Sequence, residues 1–173
     1  MVDAAGHFGA ALIVLSPIWF YYDSRAAATF VAFGLPFSQL PDIDIWLKAI
    51  IPTIHHHGIT HTILFVTLVS LAGTVIITPT LLSTLKDTDR LPGDEINRPY
   101  RFTFSAFWVA SLCHIGMDMV ASPDVKRYQP VEPFWPLFHQ PVTLDVIYYD
   151  AFVWNWGLLA VGTAITLGLW WWN

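Results

Sequence analysis

Residues 60–85 read THTILFVTLVSLAGTVIITPTLLSTL, a run without a single Asp, Glu, Lys or Arg. One helix crossing a bilayer core needs about 20 predominantly apolar residues. This run exceeds that length, and so does Tyr149–Trp172, which closes on Trp170-Trp171-Trp172. Arg101–Val120 is long enough. Two shorter stretches, His7–Tyr22 and Ala26–Leu40, complete five candidate spans, and Gly34 and Pro36 interrupt the second of them. That pair is expected to be short, tilted or half-inserted. The expected fold is all-α: one membrane-embedded domain over residues 1–173, an integral membrane bundle of about five helices.

Composition points the same way. The chain is 55% apolar, 16% aromatic and 12% charged, with a mean hydropathy of +0.52. A soluble domain carries roughly 25% charged residues, so a chain this small has too few to coat its surface. A net charge of −5 leaves no basic face for phosphate backbones, which excludes a nucleic-acid partner. The lone Cys113 excludes an intramolecular disulfide and a Cys-rich zinc site. Eight charged residues lie between Lys86 and Arg101, a stretch expected to be an exposed polar loop. The start, Met1 to His7, lacks a basic n-region, so the first helix is expected to be retained. Trp19-Phe20-Tyr21-Tyr22 and the closing Trp run suit interfacial aromatic belts.

The chemistry sits in four polar groups. These are His7, Pro41-Asp42-Ile43-Asp44, the run His55-His56-His57-Gly58-Ile59-Thr60-His61-Thr62, and His114-Ile115-Gly116-Met117-Asp118. If each stretch crosses, all four fall at one end of the bundle. His and Asp are ligands for zinc, manganese or iron. His57 and His61 are four residues apart, as are His114 and Asp118, a spacing that shares one helix face. Each piece has a plainer reading. His7 is interfacial, Pro41-Asp42 merely stops a helix, and His114 with Asp118 forms a structural hydrogen bond. Against that last reading, ionisable groups inside a span are expensive and usually functional. Not all of His55, His56 and His57 can be direct ligands.

These motifs, in this order, resemble the YdjM family of membrane-bound metal-dependent hydrolases. The resemblance rests on His7-Phe8-Gly9, Pro41-Asp42-Ile43-Asp44, the stretch from His56 to Thr62, His114 with Asp118, and Glu132-Pro133-Phe134-Trp135-Pro136. It spans nearly the whole chain. Three positions depart from the family pattern. His57 stands where the family has Arg, Thr62 where it has Ser, and Ser122-Pro123-Asp124 lacks the Gly expected after the His-x-x-x-Asp motif. The resemblance implies a multi-helix membrane protein with a divalent metal site.

The function expected is hydrolysis of a phosphoester, with membrane lipid as partner and a lipid as one possible substrate. His7, Asp42, His56, His61, His114 and Asp118 are the metal-ligand candidates, zinc first and manganese or iron next. Six candidates fit two ions better than one. Asp44 is either a general base or a partner that orients a ligand His, and Glu132 is a second candidate base. Thr60 and Thr62 are candidate donors to a bound phosphate. The alternative is a non-enzymatic metal-binding membrane protein, a transporter or a scaffold. Lys and Arg favour the cytoplasmic side. Arg25, Lys86, Arg90, Arg98 and Arg101 lie at the far end, against Lys48, Lys126 and Arg127 at the near one. The site is therefore expected to face the extracytoplasmic side.

Overall fold

The computed structural model describes residues 2–86, 98–122 and 130–173. Most of the charged loop after Lys86, including Arg90, lies outside the described residues, as do Pro123-Asp124, Lys126 and Arg127. The architecture is all-helical. Among the described residues there are six α-helices: α1 (Ala4–Leu15), α2 (Ser24–Phe37), α3 (Ile43–Ile50), α4 (Ile63–Lys86), α5 (Pro99–Val120) and α6 (Phe152–Trp172). Two-residue strands β1 (Ala121–Ser122) and β2 (Ile147–Tyr148) pair in parallel.

Local signals explain the helix starts. Asp3 and Asp23 cap α1 and α2 by accepting from the backbone N–H of Gly6 (3.1 Å) and Ala26 (2.8 Å). Thr62 accepts from Phe65 N–H at the start of α4 (3.1 Å). Pro99 opens α5, where its missing N–H costs nothing. Gly34 does not break α2. A Cβ there would meet Leu15 Cδ1 at 2.6 Å and the Ala106 carbonyl at 3.1 Å, so its role is close packing.

Three helices are long and apolar enough to cross a membrane: Ile63–Leu82, Pro99–Val120 and Phe152–Trp172. They expose Leu68, Val75, Val153, Leu167 and Trp171, as a lipid-facing surface does. The expected count of five spans is therefore not met by length. The first stretch divides into α1 and a 3₁₀ segment, Ser16–Phe20. A 3₁₀ helix rises about 2.0 Å per residue against 1.5 Å in an α-helix, so this short stretch still reaches about 28 Å. It runs beside α6 from end to end. Gly6 meets Asn155 near one end, and Trp19 stacks on Trp170 at the other (6.3 Å). Gly9 and Gly162 let the two backbones touch, since a Cβ on either would strike the opposite chain.

Periodicity in the sequence does not mark α3, because eight residues carry too few turns for a pattern to stand out. The core lies between α1, α2 and α5, where Phe37 stacks on Phe107 (3.7 Å) and Phe30 meets Phe102 edge-on (5.0 Å). Residues 130–148 run back along one end of the bundle. Ile63 N–H donates to the Pro133 carbonyl (2.9 Å), and Leu144 and Val146 N–H donate to Met119 and Val120 carbonyls.

Candidate metal centre

The four polar groups do meet at one end. α5 delivers His114 and Asp118 one turn apart, with His114 Nε2 3.1 Å from Asp118 Oδ2. Helix α2 ends against α5, leaving last-turn carbonyls without helical partners. Ser111 Oγ donates to the Phe37 carbonyl (3.0 Å), and His114 Nδ1 donates to the Ser38 carbonyl (2.6 Å). A carbonyl only accepts, so Nδ1 carries the proton and, in the neutral ring, Nε2 presents its lone pair to the cluster. The chain then turns at Pro41. Asp42 sits at the head of α3 but makes no capping bond, and its side chain joins the cluster instead of stopping a helix.

Four atoms converge: Asp42 Oδ1, His61 Nε2, His114 Nε2 and Asp118 Oδ2. Their N-to-O separations are 3.6, 3.4, 3.5 and 3.1 Å. None of the four has a hydrogen-bond partner. For ligands about 2.0–2.2 Å from a tetrahedral ion, the ligand–ligand edge is about 3.4 Å. The observed separations bracket that value. Two imidazole nitrogens and two carboxylate oxygens on the same quartet suit a divalent cation, and these residues could hold one. Burial sharpens the point, because polar atoms without hydrogen-bond partners are costly away from water.

A second set of contacts holds the first in place. Asp44 is buried and both its oxygens are taken. Oδ1 accepts from His56 Nδ1 (2.9 Å), and Oδ2 accepts from His57 N–H (3.1 Å) and Thr60 Oγ1 (3.0 Å) and lies 3.3 Å from His61 Nδ1. A carboxylate behind a histidine fixes its tautomer and aim. His57 adopts a left-handed φ of 62°, rare for a residue with a side chain. Its N–H bond to Asp44 helps hold that conformation. The sharp turn thus falls on His57, whereas Gly58 is needed because a Cβ would meet the His55 carbonyl at 2.7 Å. His57 and His61 share no helix: only Ile59–His61 forms a 3₁₀ turn, yet their rings lie 4.8 Å apart.

Charge follows from this geometry. Burial alone would lower the His61 pKa, but the carboxylates of Asp118, Asp42 and Asp44 outweigh it and push it up to about 10. Burial would raise Asp42, yet its contacts with His114 and His61 hold it well below the usual carboxylate range. His56 and His61 do the same for Asp44 against its burial.

The remaining candidates are placed less centrally. His7 is buried and stacks on His114 (3.6 Å, 10° between planes), with Nε2 3.5 Å from the other oxygen of Asp118. It belongs to none of the close ligand groups. His56 falls into two, His56–His57–His61 and Asp42–Asp44–His56, each sharing a residue with the quartet. His57, not among the ligand candidates, lies 3.8 Å from Asp118 Oδ2. Thr60 and Thr62 are not free to bind phosphate. Thr60 donates to Asp44, and Thr62 donates to the Ile59 carbonyl (2.8 Å) while capping α4. Glu132 lines a cavity of about 520 Å³ with His55, His56, His57 and Trp135, and pairs with His139 (3.5 Å).

A helical membrane bundle with a buried His/Asp quartet at one end defines an integral membrane protein carrying a candidate metal centre. The chain belongs to the YdjM inner membrane protein family, whose sequence model matches residues 2–173. No curated protein and no solved structure matches it.

Proposed function

We propose that this protein is a membrane-bound, metal-dependent hydrolase of phosphoesters, with lipid the substrate source. The observation carrying the reading is the convergence of four buried atoms, two imidazole nitrogens and two carboxylate oxygens, with N-to-O separations of 3.1 to 3.6 Å. A divalent cation bound there supplies an electrophile that acidifies water and polarises a phosphoryl oxygen. Asp42, His61, His114 and Asp118 would hold it, and a set of two nitrogens and two oxygens suits zinc first, with manganese or iron next. Asp44 is a positioning residue, since both its oxygens are engaged behind the ligands. Glu132, which lines the adjoining cavity, is the base that takes a proton from water in this reading. Water adds at phosphorus, the ester P–O bond breaks, and the departing alcohol oxygen gains a proton. A second ion would have to share His61 or Asp42 with the first.

One observation favours the non-enzymatic alternative. Four protein ligands close a tetrahedral site, as structural metals prefer, whereas catalytic sites keep a position open. Asp42 answers this. Its side chain is 12% exposed where the other three are fully covered, so it is the ligand best placed to yield a position. A transporter is disfavoured, because Ile63–Leu82 and Phe152–Trp172 carry no ionisable side chain to form a path across the membrane.

Metal analysis of the detergent-purified protein, coupled to phosphoester hydrolysis before and after chelation, tests the reading. About one equivalent of zinc or manganese, with hydrolysis lost on chelation and restored by metal, is expected. Bound metal without hydrolysis would leave the structural role. No metal would remove the basis of both.

A further inference from the structure

Two openings flank the quartet. One is the cavity where His55, His56, His57 and Glu132 stand among Ile54 and Trp135. The other is a groove of about 450 Å³ between the start of α1, the end of α2 and α3, lined by Ala4, Pro36, Leu40, Ile43 and Trp46 and by the polar Gln39 and Asp42. Asp42 lines the groove and is the quartet member whose side chain is not fully covered, so the groove leads to the cluster. Its outer wall is α3. That helix turns Asp44 inward and leaves Ile43, Ile45, Trp46 and Ile50 exposed, Trp46 and Ile50 by more than three-quarters. α3 lies at the end of the bundle where α4 begins and α5 ends, since Asp44 and Asp42 at its head meet His61 and His114. An exposed apolar helix face with one Trp at that end suits the headgroup–acyl boundary.

We propose that this groove is the lateral entrance for a membrane phospholipid: the acyl chains stay in the bilayer against α3, the phosphoester reaches the quartet past Asp42, and the water-soluble head group occupies the cavity that carries His55, His56, His57 and Glu132. This deepens the hydrolase reading and rests on it for the cleavage step. The occupant follows from the two environments. A substrate soluble in water would have no use for a groove walled by a helix with an exposed apolar face. A purely apolar one would have no use for a cavity that carries three histidines and a glutamate.

Occupancy is tested without hydrolysis. The protein is reconstituted in phosphatidylglycerol vesicles containing a phosphatidylglycerol with a diazirine on the acyl chain near the glycerol. After photolysis, cross-linked peptides are mapped. Labelling of residues 36–46 is expected, and Ala4→Trp or Leu40→Trp should lower it at least fivefold while labelling of α6 is unchanged and metal content is retained. Equal labelling in wild type and both variants, or none at 36–46, would overturn the entrance. Cleavage is tested separately by the ratio of rates on phosphatidylglycerol and on p-nitrophenyl phosphate, which should fall at least tenfold in either variant. If wild type cleaves neither compound while labelling persists, the hydrolase reading fails and the lipid groove stands. An unchanged ratio with robust cleavage refutes the groove and leaves the hydrolase.

Discussion

His114 Nε2 meets Asp118 Oδ2 at 3.1 Å across one turn of α5, while the opposite nitrogen of the same ring donates to the Ser38 carbonyl at 2.6 Å. One hydrogen bond to a helix end thus decides which face of the imidazole is offered to the cluster. The carbonyl comes from the end of α2, so the packing of α2 on α5 sets which nitrogen His114 offers the cluster.

His61→Ala and His114→Ala should each lower metal affinity by about 100-fold or more, with the protein still in the membrane fraction. Each removes one corner of the quartet, whereas the apolar spans dictate insertion. Thr78→Ala, buried in α4 at a distance from the cluster, should keep its metal. Equilibrium competition with a chromogenic chelator gives the affinities, and wild-type values for both His variants would dismiss the site.

Asp44→Asn should weaken metal binding by about 10–100-fold, the usual effect of losing a carboxylate behind a ligand His. Asp42→Asn should weaken it further, because Asp42 supplies a quartet oxygen. An Asp44 variant with unaltered affinity but no hydrolysis would restore it as a general base.

Metal affinity should rise with pH. Without a cation His61 is held protonated up to about pH 10 by its carboxylate neighbours, so binding must expel that proton. Between pH 6 and 8 the apparent affinity should increase by close to tenfold per unit from this residue. Asp42 and Asp44, held well below the usual carboxylate range, are ionised throughout and add no slope. Titration calorimetry in buffers of different ionisation enthalpy counts the released protons, and a flat profile would contradict the assignment.

Gly9→Val should lower the thermal midpoint in detergent. Its Cβ would strike the backbone at Leu158 and Leu159, and overpacking of this kind costs about 1–3 kcal/mol. Gly168→Ala, with open space around it, should have no such effect. Matching midpoints would mean α1 and α6 do not pack this closely.

We expect the metal centre to face the extracytoplasmic side, because Arg25, Arg98 and Arg101 sit at the opposite end. In a Cys113→Ala background, cysteines at the exposed positions Leu137 and Tyr100 report the two ends. An impermeant thiol reagent on intact cells should label position 137 and spare position 100. The reverse pattern would invert the orientation.

The sequence by itself determined the membrane character, the three long spans and the end at which the polar groups gather. Uncharged run length is set by bilayer thickness, and alternating crossings place motifs on sides by counting. The quartet residues Asp42, His61, His114 and Asp118 were readable as candidates for the same reason: ionisable groups stand out in a chain of apolar runs. What only the tertiary structure decided is how those residues divide the work. The spacing of Asp42 and Asp44 cannot say that one points into the quartet and the other behind it, because that depends on α3, whose eight residues carry too few turns to show a period. Thr60 and Thr62 looked free for phosphate until Asp44 and the first turn of α4 claimed them. The left-handed turn at His57, beside a glycine that would take it more easily, is held by a hydrogen bond from thirteen residues away. Local sequence carries local preference; which atom of an imidazole or carboxylate stays unpaired is fixed only when distant segments pack together and satisfy the rest.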